Sequence, residues 1–205
     1  MSRNQKFALK ILFVVALVAV VAQAVQAHEP ERVRHGFFLG TDFGMGGAGL
    51  EYYIDGEKYE SEEELGAGLT LRLGYQFAPW FGLSINARGV GQGREDDHIL
   101  AVGSSTITAT FYPGSGGFFF RFGVGNARVK TELPEDYDTA TGLAREIDEE
   151  ADIVAFGLGY EWMANDHFSI GLSMETRGGE IDDFDEITDA TIGDATFGLS
   201  MNYFF

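Results

Sequence analysis

Residues Ala67 to Phe77 read AGLTLRLGYQF, and the period along them decides the fold. Ala67, Leu69, Leu71, Leu73, Tyr75 and Phe77 take every second position, with Gly68, Thr70, Arg72, Gly74 and Gln76 between them. Successive side chains on a β-strand point to opposite sides, so strict alternation gives a strand with one apolar and one polar face. The same period runs through FGLSINARG (Phe81 to Gly89), FSIGLSMETR (Phe168 to Arg177) and FGLSMNYFF (Phe197 to Phe205). Extended along the chain, it predicts eight strands at about 36–45, 66–77, 81–91, 99–112, 117–129, 152–162, 168–177 and 190–205. Ser104, Ser105 and Thr106 blur the phase of the 99–112 strand, where a bulge would exchange its faces.

The connections alternate in length. APW (Ala78 to Trp80), PGSG (Pro113 to Gly116) and MANDH (Met163 to His167) are short, whereas Gly46 to Leu65, Gln92 to His98, Lys130 to Ala151 and Gly178 to Asp189 are long. In an up-and-down meander this collects all short turns at one end and all long loops at the other. The polar faces carry glycine and isolated charges, while the apolar faces are continuous. Phe77, Trp80, Phe81, Phe111, Phe118, Tyr160, Trp162, Phe168, Tyr203 and Phe205 gather near the short turns, as an interfacial girdle does. The sequence therefore predicts an all-β fold, an eight-stranded antiparallel up-and-down transmembrane β-barrel with its apolar faces toward lipid. Closure leaves no backbone donor unpaired in hydrocarbon.

The N-terminus speaks to compartment. Arg3, Lys6 and Lys10 precede the apolar run Ile11 to Ala22, and AVQA ends at Ala27 with Val25 and Ala27 as small residues. This is the layout of a secretory signal, and twelve apolar residues fall short of the roughly 20 a membrane-spanning helix needs. The expected organisation is a signal peptide at 1–27 and an outer-membrane barrel domain at 28–205. Three of the 14 Lys+Arg lie in the leader, leaving 11 against 32 Asp+Glu, a formal charge of −21. Nucleic acid would be repelled by such a chain. Its 18 Phe and 8 Tyr argue against disorder, and with no cysteine it has neither disulfides nor thiolate chemistry.

Phe205 ends the chain, with an aromatic at Tyr203 and apolar Met201, Leu199 and Phe197 alternating upstream. This tail resembles the C-terminal assembly signal of bacterial outer-membrane barrels. With the eight strands, the chain is similar to the small OmpA-like and OmpX-like β-barrel family. The resemblance implies that Phe197, Leu199, Met201, Tyr203 and Phe205 are read by the barrel-assembly machinery. It implies periplasmic chaperones during biogenesis, outer-membrane lipids and lipopolysaccharide around the folded barrel, a bacterial outer-membrane location and a monomeric state.

An eight-stranded barrel is just wide enough for side chains to fill. The inward phase holds Asp42, Arg72, Arg88, Arg121, Glu161, Glu175, Arg177 and Asp194, four of each sign. Arg121 with Glu161 and Arg177 with Asp194 fall on adjacent strands, and Asp42 and Glu175 flank Arg72 and Arg88. Such balance suggests a satisfied charge network that plugs the lumen, since buried charges must be paired. The alternative is a narrow channel for small solutes, as in OmpW-like relatives.

The long loops are acidic: GLEYYIDGEKYESEEELG has seven acids and one lysine, and GEIDDFDEITD six acids and no base. DDFDE (Asp182 to Glu186) lacks the glycine and spacing of a calcium loop. GMGGAG (Gly44 to Gly49) matches a dinucleotide fingerprint in letters alone, because no helix follows it. His98 beside Asp96 and Asp97, with Ser104 and Ser105 nearby, evokes barrel-based lipid-modifying enzymes, but no orienting constellation is visible. No catalytic, cofactor or metal site is read from the sequence. The expected role is structural or surface-interactive, with acidic loops displayed outward.

Overall fold

The computed structural model describes residues 34–54, 57–60, 65–93, 99–132, 146–181 and 187–205. In chain order the strands are β1 (Gly36–Ile54), β2 (Glu57–Glu60), β3 (Gly66–Ala78), β4 (Phe81–Gly93), β5 (Ile99–Phe111), β6 (Phe118–Glu132), β7 (Glu146–Met163), β8 (Phe168–Ile181) and β9 (Ile187–Phe204). β1 pairs antiparallel with β3, each strand from β3 to β9 pairs antiparallel with the next, and β9 pairs back to β1 from Phe38↔Phe204 to Ile54↔Ile187. That ladder closes the sheet. β2 adds no ninth stave: it bonds β1 at Glu51 to Ile54, above the point where the β1–β3 ladder ends at Gly46↔Gly66. The barrel is eight-stranded.

Its stagger can be counted. Paired residues lead from Leu39 through Leu73, Ile85, Ile107, Val124, Val154, Gly178 and Gly193 back to β1 at Gly49, ten residues farther up the strand. With eight strands, such a shear tilts the strands by about 40° to the axis. Strong coiling brings backbones close together where β1 meets β9. Gly44 and Gly198 face each other there, and a Cβ on either would run into the backbone of the other strand.

The burial pattern is inside out relative to a soluble protein. Leu71, Leu73, Ile107, Phe122 and Val124 are exposed, Ile85 is 65 % exposed and Val154 64 %, while Thr70, Arg72, Asn86 and Arg88 are buried. An apolar surface on every strand far exceeds what a monomer in water tolerates. Hydrocarbon is the solvent that matches it. Toward the short turns the outward side chains form a chain of ring contacts, Phe37–Tyr75–Phe77–Phe81–Phe111, with centroids 4.8 to 6.0 Å apart. Phe118, expected in this girdle, is buried and packs edge-to-face on Phe120 at 4.7 Å.

Three sequence expectations change. The strands outrun their predicted ends on the long-loop side: β1 continues to Ile54, β6 to Glu132, β8 to Ile181, and β7 begins at Glu146. Segments expected as loop are therefore partly ladder, because cross-strand hydrogen bonds persist where lipid no longer dictates an apolar outer face. The inward face is also not polar throughout. Near the long-loop end it turns apolar, with Ala48, Val90, Val102, Ala127, Val129, Ala151, Ile153, Ile181, Ala190 and Ile192 all buried. Finally, β5 keeps one phase without a bulge, its pairing running from Gly93↔Ile99 to Phe81↔Phe111, so that Ser104, Thr106, Thr108 and Thr110 all face the lumen.

Candidate functional site: the lumen

All eight charged residues expected inside the barrel face the lumen, and they divide into two clusters. The lower one lies toward the short turns and centres on Glu161, which is fully buried. Its Oε1 accepts from Arg121 Nη2 at 3.1 Å, Ser200 Oγ at 3.1 Å and Asn202 Nδ2 at 2.7 Å. Its Oε2 accepts from Tyr112 Oη at 3.1 Å and Ser169 Oγ at 3.3 Å. Arg121 also donates Nη1 to Asp42 Oδ2 at 3.1 Å, and Arg72 pairs with the same carboxylate. Arg72 Nη2 reaches Ser200 Oγ at 3.1 Å and Asn202 Oδ1 at 3.0 Å. Gly40 makes the room, since a Cβ there would collide with the Asn202 amide and the Arg72 guanidinium.

The upper cluster joins Arg88, Glu175, Arg177 and Asp194. Arg177 Nε donates to Glu175 Oε1 at 3.0 Å, Arg88 Nη1 to the same oxygen at 3.5 Å, and Arg177 also bonds Ser104. Arg177 and Asp194 are cross-strand partners in the β8–β9 ladder. The Asp194 carboxylate nevertheless bonds Arg88, from across the lumen. Asn86 links the wall between the clusters, donating to Thr108 Oγ1 at 2.7 Å and accepting from Ser84 Oγ at 2.8 Å.

Apolar layers close both ends of this charged column. Phe38, Phe119, Phe204 and Tyr112 are buried at the short-turn end, with Phe38 and Phe204 rings 5.7 Å apart. The Arg121 guanidinium lies over the Phe119 ring at 4.1 Å. At the other end the valine, alanine and isoleucine layer sits on the upper cluster. A narrow gap between Val102, Ala127, Ile153 and Ile192 on one side and Arg177 and Asp194 on the other has no room for a water molecule.

Sequence reasoning missed Arg34. It precedes β1 outside any periodic strand, yet it is buried, donates Nη1 to the Gly116 carbonyl at 3.0 Å and Nη2 to the Glu161 carbonyl at 3.1 Å, and covers the Tyr112 ring at 4.4 Å. Tyr112, Ser169, Ser200 and Asn202 were missed too, although their inward phase was available from the alternation.

The five residues read as an assembly signal lie on β9 and its end. Phe197, Leu199, Tyr203 and Phe205 are exposed on the outer face, and Met201 lies there half-buried. Phe205 N donates to Phe37 O at 2.9 Å, and Tyr203 packs on Phe205 at 5.2 Å and on His167 at 6.0 Å. His98, Asp96 and Asp97, the leader 1–27 and Asp182 to Glu186 lie outside the described residues. Ser104 accepts from Arg177 inside the barrel, and Ser105 takes the outward phase of β5. Gly44 to Gly49 lie within β1, paired on both sides at Gly44 and Gly46.

Residues 13–205 match the outer membrane protein beta-barrel domain. The chain belongs to that family. Solved structures similar to this outer membrane β-barrel include the Neisserial surface protein A, at 10 % identity, covering 83 % of this chain and 97 % of that one with a TM-score of 0.48. Another is Ail, the attachment invasion locus protein of Yersinia pestis, at 18 % identity with coverage of 83 % and 100 % and a TM-score of 0.46. OprG from Pseudomonas aeruginosa is similar at 15 % identity, with coverage of 85 % and 99 % and a TM-score of 0.47. No curated protein sequence matches the chain.

Proposed function

We propose that this chain is a monomeric, non-conducting barrel of the bacterial outer membrane whose work is structural and surface-interactive, with its acidic long loops displayed outward. One observation carries the reading: among the described residues, buried side chains occupy the lumen from the short-turn end to the layer above the upper cluster. Two hydrogen-bonded charge clusters occupy its middle, and apolar layers cover them at both ends. An ion crossing this column would have to shed its hydration against Val102, Val129 and Ile153 and then break buried charge pairs. What remains accessible is the outer surface, and there the exposed Glu150, Asp152 and Glu180 stand above the apolar band. The test is conductance of the refolded protein in a planar bilayer. Silence at applied voltage is expected. Steady single-channel currents would replace this reading with a narrow solute channel.

A further inference from the structure

We propose that Arg34 is a releasable latch on the short-turn mouth, which seals Glu161 and Tyr112 from water when docked and leaves without unbalancing the charge inside. The proposal rests on the closed-lumen reading above. Arg34 enters from the β1 side, yet its guanidinium bonds Gly116, in the β5–β6 turn, and Glu161 on β7. In the ring of strands that turn stands opposite β1. A single side chain thus spans the mouth, stacked on Tyr112.

Three features make it releasable. Both of its short bonds go to neutral backbone carbonyls, that of Gly116 in the β5–β6 turn and that of Glu161, and neither is to a charged partner. Its approach to the Glu161 carboxylate is long, 4.0 Å to Oε2, while that carboxylate keeps Arg121, Ser200, Asn202, Tyr112 and Ser169 as closer donors. Without Arg34 the interior holds Arg72, Arg88, Arg121 and Arg177 against Asp42, Glu161, Glu175 and Asp194, which balance. Each of the other arginines instead pairs directly with a buried carboxylate, so withdrawing one breaks a buried pair, the costly situation. Arg34 itself is the surplus cation, and its buried Nε has no hydrogen-bond partner.

The absence of cysteine makes the test direct. Ser169→Cys places one thiol at the buried floor beside Glu161. In the full barrel folded in detergent micelles, a small charged methanethiosulfonate labels it slowly while Arg34 is present. In the Arg34→Ala background labelling accelerates by about tenfold or more, tenfold corresponding to ~1.4 kcal/mol in the opening equilibrium. Both variants keep a heat-dependent shift in gel mobility. Equal labelling rates would overturn the latch, and so would loss of the heat shift in Arg34→Ala, which would make Arg34 a pillar of the fold. Where Ser169→Cys does not fold, exchange of the Glu161 amide, which donates to Gly117 O at 2.8 Å, reads the same mouth with and without Arg34→Ala. Faster exchange is expected, and unchanged exchange overturns the latch. Currents through the unaltered protein would sink the closed-lumen reading, while the labelling rates would still report on Arg34.

Discussion

Glu161 gathers five donors from five different chain positions, so its removal and that of its partners are not symmetric. Arg121→Ala leaves Glu161 with four of them and leaves Asp42 with Arg72. Glu161→Ala instead removes the acceptor that all five donors share and leaves Arg121 only Asp42 as a charge partner in a closed interior. Breaking a buried pair from one side costs about 3–5 kcal/mol, and Glu161→Ala belongs at that end of the range, with Arg121→Ala milder. The double variant should be more stable than the sum of the singles predicts, by about 0.5–3 kcal/mol, because the groups share one network. Urea unfolding from lipid vesicles measures all three. A coupling near zero would mean that water screens both groups, and a hydrated lumen would follow. The alternation revealed that these charges point inward. It did not reveal whom they meet: Asp194 is in register with Arg177 but bonds Arg88, because a lumen this narrow lets side chains reach across it.

At the scale of the element, β9 is the strand that converts a sheet into a ring. It bonds β8 from Phe168↔Tyr203 upward and β1 from Phe38↔Phe204 upward, so neither neighbour closes without it. Its outer face presents Phe197, Leu199, Tyr203 and Phe205, available to anything that receives the strand before closure. Changing Tyr203 and Phe205 together to Ala should lower insertion into the outer membrane and leave protease-sensitive precursor, read by fractionation and immunoblot. An unchanged insertion yield would deny these residues a role as assembly signal. The strand itself was legible because Phe197, Leu199, Met201, Tyr203 and Phe205 alternate against residues that are mostly small or polar. Strand ends were not legible. Glu146 to Ala151 read EIDEEA, which looks like loop in a pattern tuned to lipid, although the β6–β7 ladder runs on to Glu132↔Glu146. The apolar inward layer escaped for the same reason, since Val129 and Ile153 lie where the outer face had stopped being apolar.

The whole molecule is a closed ladder with no terminal stave, so detergent must break several strand pairings together before the chain unfolds. Unboiled protein should therefore migrate differently from boiled protein in SDS gels, and identical migration would contradict closure. Orientation is set by the asymmetry between the two ends. The short-turn end carries the linked aromatic rings of Phe37, Tyr75, Phe77, Phe81 and Phe111 and turns of only a few residues. The opposite end carries strands that outrun the apolar band and the acid-rich connections. Outer-membrane barrels keep short turns toward the periplasm and long loops outside. Epitope tags placed within Asp55 to Glu64 or Asp182 to Glu186 should accordingly bind antibody on intact cells, whereas a tag at Ser115 should bind only after the outer membrane is permeabilised. Antibody reaching Ser115 on intact cells, with the two acidic sites silent, would turn the barrel over and place its acidic end in the periplasm.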